Sequence, residues 1–184
     1  VAALLEEPHV WGTLTEKNSI IFNDPDFEIF IDPDGSNHNY YEFEINSFGT
    51  IYEVLFFWDE AYKAGSYDTI KGLALDDPGA RPFFGVGYKD HPRGPRTGFW
   101  GWDLPGLLTA VNLDGTINDS SDRDRGWTVE LAIPWEGLEV LAMADKRSLP
   151  PQEHDIWRMD FSRFNQYKEA PPSRDPGGWV WSPH

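Results

Sequence analysis

Apolar and polar residues alternate with a period of two in several short segments of the chain. Residues 27–31 and 41–45 show the alternation most clearly, with aromatic or β-branched side chains at every second position. The turn-forming sequence DPDG at 32–35 lies between them. Because successive side chains of a strand point to opposite faces, this pattern predicts two antiparallel strands joined as a hairpin.

The same signals predict more strands and little helix. Further strand-like segments cover residues 50–57, 107–113, 127–133 and 156–164. Pro134 opens a single predicted helix over residues 135–142, and a long loop rich in glycine and proline covers 76–105. Short strands with frequent turn residues are typical of a sandwich. We therefore predict an all-β, antiparallel β-sandwich with one short helix and long loops, in one domain over residues 1–184.

The two ends of the sequence resemble cuts through or beside structured elements. The chain begins with the apolar run VAALL at 1–5 and stops just after the alternating WVW at 179–181. We expect the native domain to extend beyond both ends. The alternative is that both segments are edge strands. The sequence has no cysteine, and a domain of this length can stabilise its core without disulfides.

The negative net charge of the chain excludes some classes of binding partner. The chain has 31 acidic residues against 15 Lys and Arg, which gives a formal net charge of −16. Such a surface repels phosphate backbones and anionic membranes, so we predict neither nucleic-acid binding nor membrane insertion. Neutral ligands and cations are compatible with this charge.

Nine tryptophans in 184 residues are more than a modest core needs. An indole ring is rarely buried completely, so some of these rings are expected at a surface or in a cleft. There a flat apolar face can pack against the C–H groups of a sugar. The alternatives for each ring are core packing, edge packing or anchoring of a loop. The candidate platforms are Phe22, Trp100, Trp102, Trp179 and Trp181.

The predicted hairpin brings two glutamates together. The register that places Ile29 opposite Phe43 also places Glu28 opposite Glu44 on the other face. Like charges directly opposite one another destabilise a sheet unless something compensates them. Spacing alone slightly favours a solvated outer face; the alternative is a concave polar face that binds a neutral ligand. Paired carboxylates about 5–9 Å apart also make glycoside hydrolysis a candidate reaction. Nothing in the sequence, however, indicates that the pKa of one glutamate is raised, as a catalytic acid requires.

Asp32 and Asp34 are the candidate metal ligands. The sequence D-x-D-G resembles the opening of a calcium-binding loop, but the glycine is misplaced for an EF-hand and the closing glutamate is missing. An Asx-rich hairpin turn is the better interpretation. None of the five histidines shows zinc-ligand spacing, and no motif requires a cofactor.

Four segments together resemble family 9 carbohydrate-binding modules and their relatives. The central hairpin of that family is similar to DFEIFID at 26–32 and NYYEFEIN at 39–46. Its later strand and helix start are similar to GWTVELAIPW at 126–135. Its closing segments are similar to WRMDFSR at 157–163 and WVWS at 179–182. The resemblance is distributed over most of the chain.

This resemblance implies a β-sandwich of the DOMON-like superfamily that binds sugar between aromatic rings, with calcium as a structural ion. It implies that Glu28 contacts the sugar and that Arg163 lies on a strand that supplies a polar contact. It implies that Phe22 stands where one clamping ring is expected and that Trp181 lies near the segment that carries the other. It also implies fusion to, or company with, secreted glycan-degrading enzymes, and hence an extracellular or periplasmic location.

The resulting hypothesis is a non-catalytic carbohydrate-binding domain associated with polysaccharide degradation. Its partner is a polysaccharide or oligosaccharide, which stacks on the aromatic rings. Glu28 and Glu44 accept hydrogen bonds from its hydroxyls, and Arg163 donates hydrogen bonds to them. Two alternatives stay open: a glycoside hydrolase that uses Glu28 and Glu44, and a structural or interaction domain of an envelope protein without a ligand.

Overall fold

The strands of this chain form two antiparallel sheets. The computed structural model describes residues 1–36, 38–83, 95–144, 146–165 and 178–181. The strands in these ranges are β1 (Ala2–Glu6), β2 (Asp26–Asp32), β3 (Asn39–Asn46), β4 (Ile51–Trp58), β5 (Ala80–Phe83), β6 (Arg96–Phe99), β7 (Leu108–Asp114), β8 (Gly126–Ala132), β9 (Arg158–Phe164) and β10 (Gly178–Val180). The α-helices are α1 (Asp59–Ala64) and α2 (Glu139–Ala144).

One sheet has seven strands in the order β10-β9-β2-β3-β4-β6-β5, and the other has three in the order β1-β8-β7. Every described pairing is antiparallel. The predicted all-β, antiparallel sandwich is therefore confirmed. The strands β1 and β10 each lie at one edge of their sheet.

All six predicted strand segments contain an observed strand, whereas β5, β6 and α1 were not predicted. β5 and β6 are four-residue strands inside the segment that we predicted as a loop. They contain Pro82 and Gly98, which weaken the local strand signal; in the sheet, β6 pairs with β4, and β5 pairs with β6. The helix α1 is six residues long and was too short for a periodic pattern.

The predicted helix at 135–142 begins as a 3-10 turn over Trp135–Leu138 and continues as α2. Among the described residues, no helix combines the length and the apolar character needed to cross a bilayer.

The core between the sheets follows the predicted alternation. Inward-facing side chains of the large sheet meet those of the small sheet, and both sets are almost completely buried. These residues include Ile29, Ile31, Tyr41, Phe43, Ile45, Leu55 and Phe57 on one side and Trp127, Val129 and Leu131 on the other. Burying large apolar side chains contributes about 1.5–3 kcal/mol each, so this layer fixes which face of each strand points inward.

The opposite face of the large sheet is also covered. The segment at 11–24 folds across it and forms a second apolar cluster, in which Ile21 packs against Tyr52, Val54 and Phe56. A strand that is buried on both faces has no solvated side.

Asp24 holds this covering segment on the sheet. Its Oδ2 accepts hydrogen bonds from the backbone N–H groups of Thr13 and Leu14 at 2.8 Å each and from Asn46 Nδ2 at 3.0 Å. Its Oδ1 accepts one from Thr13 Oγ1 at 2.7 Å. The residue is only 1% exposed, and its loss would remove the acceptor of four hydrogen bonds, one of them from the buried amide of Asn46.

Replacement of Asp24 by alanine is expected to lower the free energy of unfolding by about 2–4 kcal/mol, because four hydrogen bonds that hold the covering segment on the sheet would lose their common acceptor. Urea denaturation followed by tryptophan fluorescence measures the change. Asp119→Ala is the matched control, since this exposed aspartate accepts one backbone hydrogen bond, from Ser121 at 2.8 Å. Equal stabilities of the two variants would contradict the anchoring role of Asp24.

Candidate functional site

Glu28 and Glu44 lie opposite each other on one face of the β2–β3 pair, as the alternation predicts. The same register pairs Phe30 with Glu42. The expectation that this face is an open surface is wrong, because Glu28 is 3% exposed and Glu44 is 4% exposed. The covering segment at 11–24 has no regular period, and its position over the sheet could not be read from the alternation.

Asp26 joins the two glutamates. One carboxylate oxygen from each of Asp26, Glu28 and Glu44 lies within 4.8 Å of the others, and we call these three residues the carboxylate cluster. The Ser162 hydroxyl donates a hydrogen bond to Glu28 Oε2. The backbone N–H of Phe164 donates to Asp26 Oδ1 at 2.7 Å. The cluster therefore lies on β2 and β3, and β9 supplies hydrogen-bond donors to it.

Phe22 closes one side of the cluster. Its backbone N–H donates to Glu44 Oε2 at 3.2 Å. Its ring packs against the ring of Phe164, with the centroids 5.9 Å apart. Phe22 is thus a half-buried residue of the covering segment.

Burial raises the pKa of all three carboxyl groups in the cluster. For Asp26 and Glu44, the charge of the nearby Glu28 is the next cause and raises the pKa further. For Glu28, the hydrogen bond from Ser162 opposes the effect of burial. Without a cation nearby, the cluster therefore tends to hold protons at neutral pH.

Trp100 and Trp102 are packing residues. Trp100 belongs to the second apolar cluster, with its ring centroid 5.7 Å from that of Phe56. Trp102 is 4% exposed and lies edge-on to Tyr41 in the main core. The prediction of an exposed platform is wrong for Trp102. One glycine separates the two rings, and each enters a different apolar cluster.

Arg163 forms its ion pair with Glu7 rather than with the carboxylate cluster, although its charge partly offsets the raised pKa of Asp26. In β9, Ser162 pairs with Glu28, so its neighbour Arg163 points to the other face of the sheet. There Arg163 Nη2 lies 3.2 Å from Glu7 Oε2, and Nη1 donates to the carbonyl oxygen of Glu6 at 3.3 Å. The expectation that Arg163, Glu28 and Glu44 contact one ligand together is therefore wrong.

A groove lies on the Arg163 side of the sheet. Its volume is about 550 Å³, and it runs between β1 and the strands β9 and β10. Trp179 and Trp181 stand in it, 54% and 71% exposed, with their rings nearly perpendicular and their centroids 6.3 Å apart. We call this the aromatic groove. Its other lining residues include Val1, Ala3, Leu5, Phe27, Phe161 and Asn165.

The structure does not bring Phe22 and Trp181 together as a clamp. Phe22 packs on Phe164, whereas Trp181 donates its backbone N–H to the carbonyl oxygen of Phe161 and lines the aromatic groove. Sequence reasoning identified the exposed indoles but missed β1 as a wall of their groove. The signal is the apolar run at 1–5, for which an edge strand is only the alternative interpretation of the sequence.

Asp32 and Asp34 stabilise the turn of the β2–β3 hairpin. Asp32 Oδ1 accepts a hydrogen bond from the backbone N–H of Gly35 at 3.0 Å, and Asp34 Oδ1 accepts one from that of Ser36 at 2.7 Å. Gly35 has a φ of 71°, which suits glycine. These contacts match the Asx-rich turn that was the better interpretation of the sequence.

Comparison of the chain with models of known families, with curated proteins and with solved structures finds no match. The resemblance to family 9 carbohydrate-binding modules therefore stays a prediction carried by the sequence motifs.

In the presence of a chelator, the free energy of unfolding is expected to fall as the pH rises from about 5 to 8. The unfolded carboxyls titrate near 3.8 and 4.5, whereas the folded cluster keeps its protons to higher pH. Each proton held only by the folded state contributes a slope of about −1.4 kcal/mol per pH unit. Urea denaturation at each pH measures this slope.

Glu44→Gln is expected to make the slope of the unfolding free energy against pH shallower, because it removes one group whose pKa is raised in the folded state. The neighbouring carboxyls of Glu42 and Asp160 are unchanged in this variant. Glu130→Gln, on the exposed outer face of β8, serves as the control and should leave the slope unchanged. An unchanged slope in Glu44→Gln would contradict proton retention by the cluster.

Proposed function

We propose that this chain is a non-catalytic carbohydrate-binding domain and that the aromatic groove is its binding site. The observation that carries the proposal is the pair of neighbouring, largely exposed indoles, Trp179 and Trp181. Leaving two large apolar rings in water is unfavourable, and such exposure commonly marks a binding site. The C–H face of a pyranose ring is a suitable partner for an indole face.

The polar groups of the groove fit a neutral ligand. Arg163 is held by Glu7, so its charge is compensated before any ligand binds. Asn165 adds an amide, which can both donate and accept hydrogen bonds. Sugar hydroxyls can use such groups, while the formal net charge of −16 disfavours a polyanion.

The dimensions of the groove suit a small ligand. Sites for small ligands typically have volumes of about 300–1,000 Å³, and the aromatic groove has about 550 Å³. Its walls belong to paired strands of both sheets, so they need little ordering when a ligand binds. An oligosaccharide or the end of a polysaccharide is the proposed partner, and an extracellular or periplasmic location belongs to the same proposal.

The glycosidase alternative finds less support in the geometry. Glu28 and Glu44 are buried beneath the covering segment, where a glycosidic bond cannot reach them without displacement of that segment. An interaction domain without a sugar ligand is compatible with an exposed apolar groove. Titration with glycans separates that alternative from the proposal.

Isothermal titration of the chain with xylo- and cello-oligosaccharides is expected to give saturable heat. Trp179→Ala and Trp181→Ala should each weaken binding by at least about tenfold, since aromatic anchors that lose their contact typically cost more than 1 kcal/mol.

Trp135→Ala is the matched control. This indole is 49% exposed but lies outside the groove, edge-on to Trp157 at 6.0 Å between ring centroids. Its loss should leave affinity unchanged. Absence of heat with every glycan, or equal losses in all three variants, would overturn the proposed function.

A further inference from the structure

The two indoles of the aromatic groove meet edge to face. The ring planes of Trp179 and Trp181 make an angle of 73°, and the ring centroids lie 6.3 Å apart. The positive edge of one aromatic ring is attracted to the negative face of another, so this contact is itself favourable. Turning the two rings into one plane would break the contact. The angle is therefore the preferred geometry of the pair before any ligand binds.

The backbone holds both indoles against strand β9. Trp179 pairs with Arg163 in the register of β9 and β10, and the backbone N–H of Trp181 donates to the carbonyl oxygen of Phe161 at 2.8 Å. Because side chains two residues apart lie on the same side of a strand, both rings share the side of Arg163. The sheet thus sets where the rings stand in the groove, and only their side-chain torsions can change the angle.

A flat surface can stack on only one of these rings. Dispersion contacts weaken quickly with any gap, so a ring packs well only on an apolar face parallel to it. A plane that is parallel to one indole meets the other ring nearly edge-on. The facing wall of the groove, residues 1–5, also keeps a broad rigid surface away from the groove floor. The groove is therefore poorly suited to the face of a crystalline polysaccharide.

A single twisted glycan chain can stack on both rings. In such a chain, neighbouring pyranose units are rotated about the chain axis, so that their C–H faces point in different directions. Each face can then lie parallel to one indole. The groove volume of about 550 Å³ is within the usual range for a small ligand or a short piece of chain. Arg163 and Asn165 line the same groove and can hydrogen-bond the sugar hydroxyls.

We propose that the aromatic groove selects a single twisted chain, such as soluble β-1,4-xylan, over the flat surface of crystalline cellulose. Trp179 and Trp181 determine this specificity, because each stacks on a different sugar unit of one chain. The inference rests on the proposed function and names the class of glycan that the same site binds. It differs from the clamp of Phe22 and Trp181 that the family resemblance implies, since the ring of Phe22 packs on Phe164 instead.

The test compares soluble and crystalline glycans with the whole chain. By isothermal titration, xylohexaose should bind with a Kd at least about tenfold lower than that of xylose, because a single sugar unit reaches only one indole face. Microcrystalline cellulose should deplete the chain from solution no more than it depletes the Trp179→Ala/Trp181→Ala double variant.

The single variants show whether one chain uses both rings. Trp179→Ala and Trp181→Ala should each bring the Kd for xylohexaose towards that for xylose. Trp135→Ala is the matched control, because this exposed indole lies outside the groove, and it should keep the tenfold preference. If a groove variant fails to fold, the wild-type comparison of xylose, xylohexaose and cellulose still decides the outcome.

The results distinguish this inference from the proposed function. Binding to crystalline cellulose as tight as to xylohexaose would overturn the selection of a twisted chain and leave sugar binding intact. Equal Kd values for xylose and xylohexaose would overturn the use of both rings by one chain. Binding of cellohexaose without xylohexaose would overturn xylan as the ligand. Absence of heat with every glycan would overturn the proposed function, and this inference with it.

Discussion

The burial of three carboxylates side by side is the constraint on which the large sheet depends. The register of β2 and β3 places Glu28 opposite Glu44, and the covering segment removes both from water. Burying an uncompensated charge costs several kcal/mol, so protons or a cation must neutralise this layer before the segment can close over it. The hydrogen bonds of Asp24 then keep the segment closed.

Adjacent residues of strand β9 face the two different sites on opposite sides of the large sheet. Ser162 points to the carboxylate cluster, and the adjacent Arg163 points to the aromatic groove. The carboxylate cluster and the proposed sugar site are therefore separated by the thickness of one sheet. Arg163 lines the groove and its charge also acts on the pKa of Asp26, so the two sides are coupled electrostatically across the sheet.

The sequence was most informative where a period of two was clear. Alternation in β2 and β3 was enough to predict the core face, the hairpin register and the pairing of Glu28 with Glu44. It could not predict the burial of the second face, because the covering segment depends on long-range hydrogen bonds. Nor could composition assign Trp100 and Trp102, whose loop inserts them into separate apolar clusters.

The aromatic groove has the first and the last described strands as its walls. β1 and β10 are otherwise held by one neighbour each, so their backbone amides should exchange with solvent faster than those of the central strands. A ligand in the groove would contact both β1 and β10, which lie near opposite ends of this sequence, and would hold them together. Slower amide exchange confined to these two strands would then report occupancy directly, without any label on the ligand.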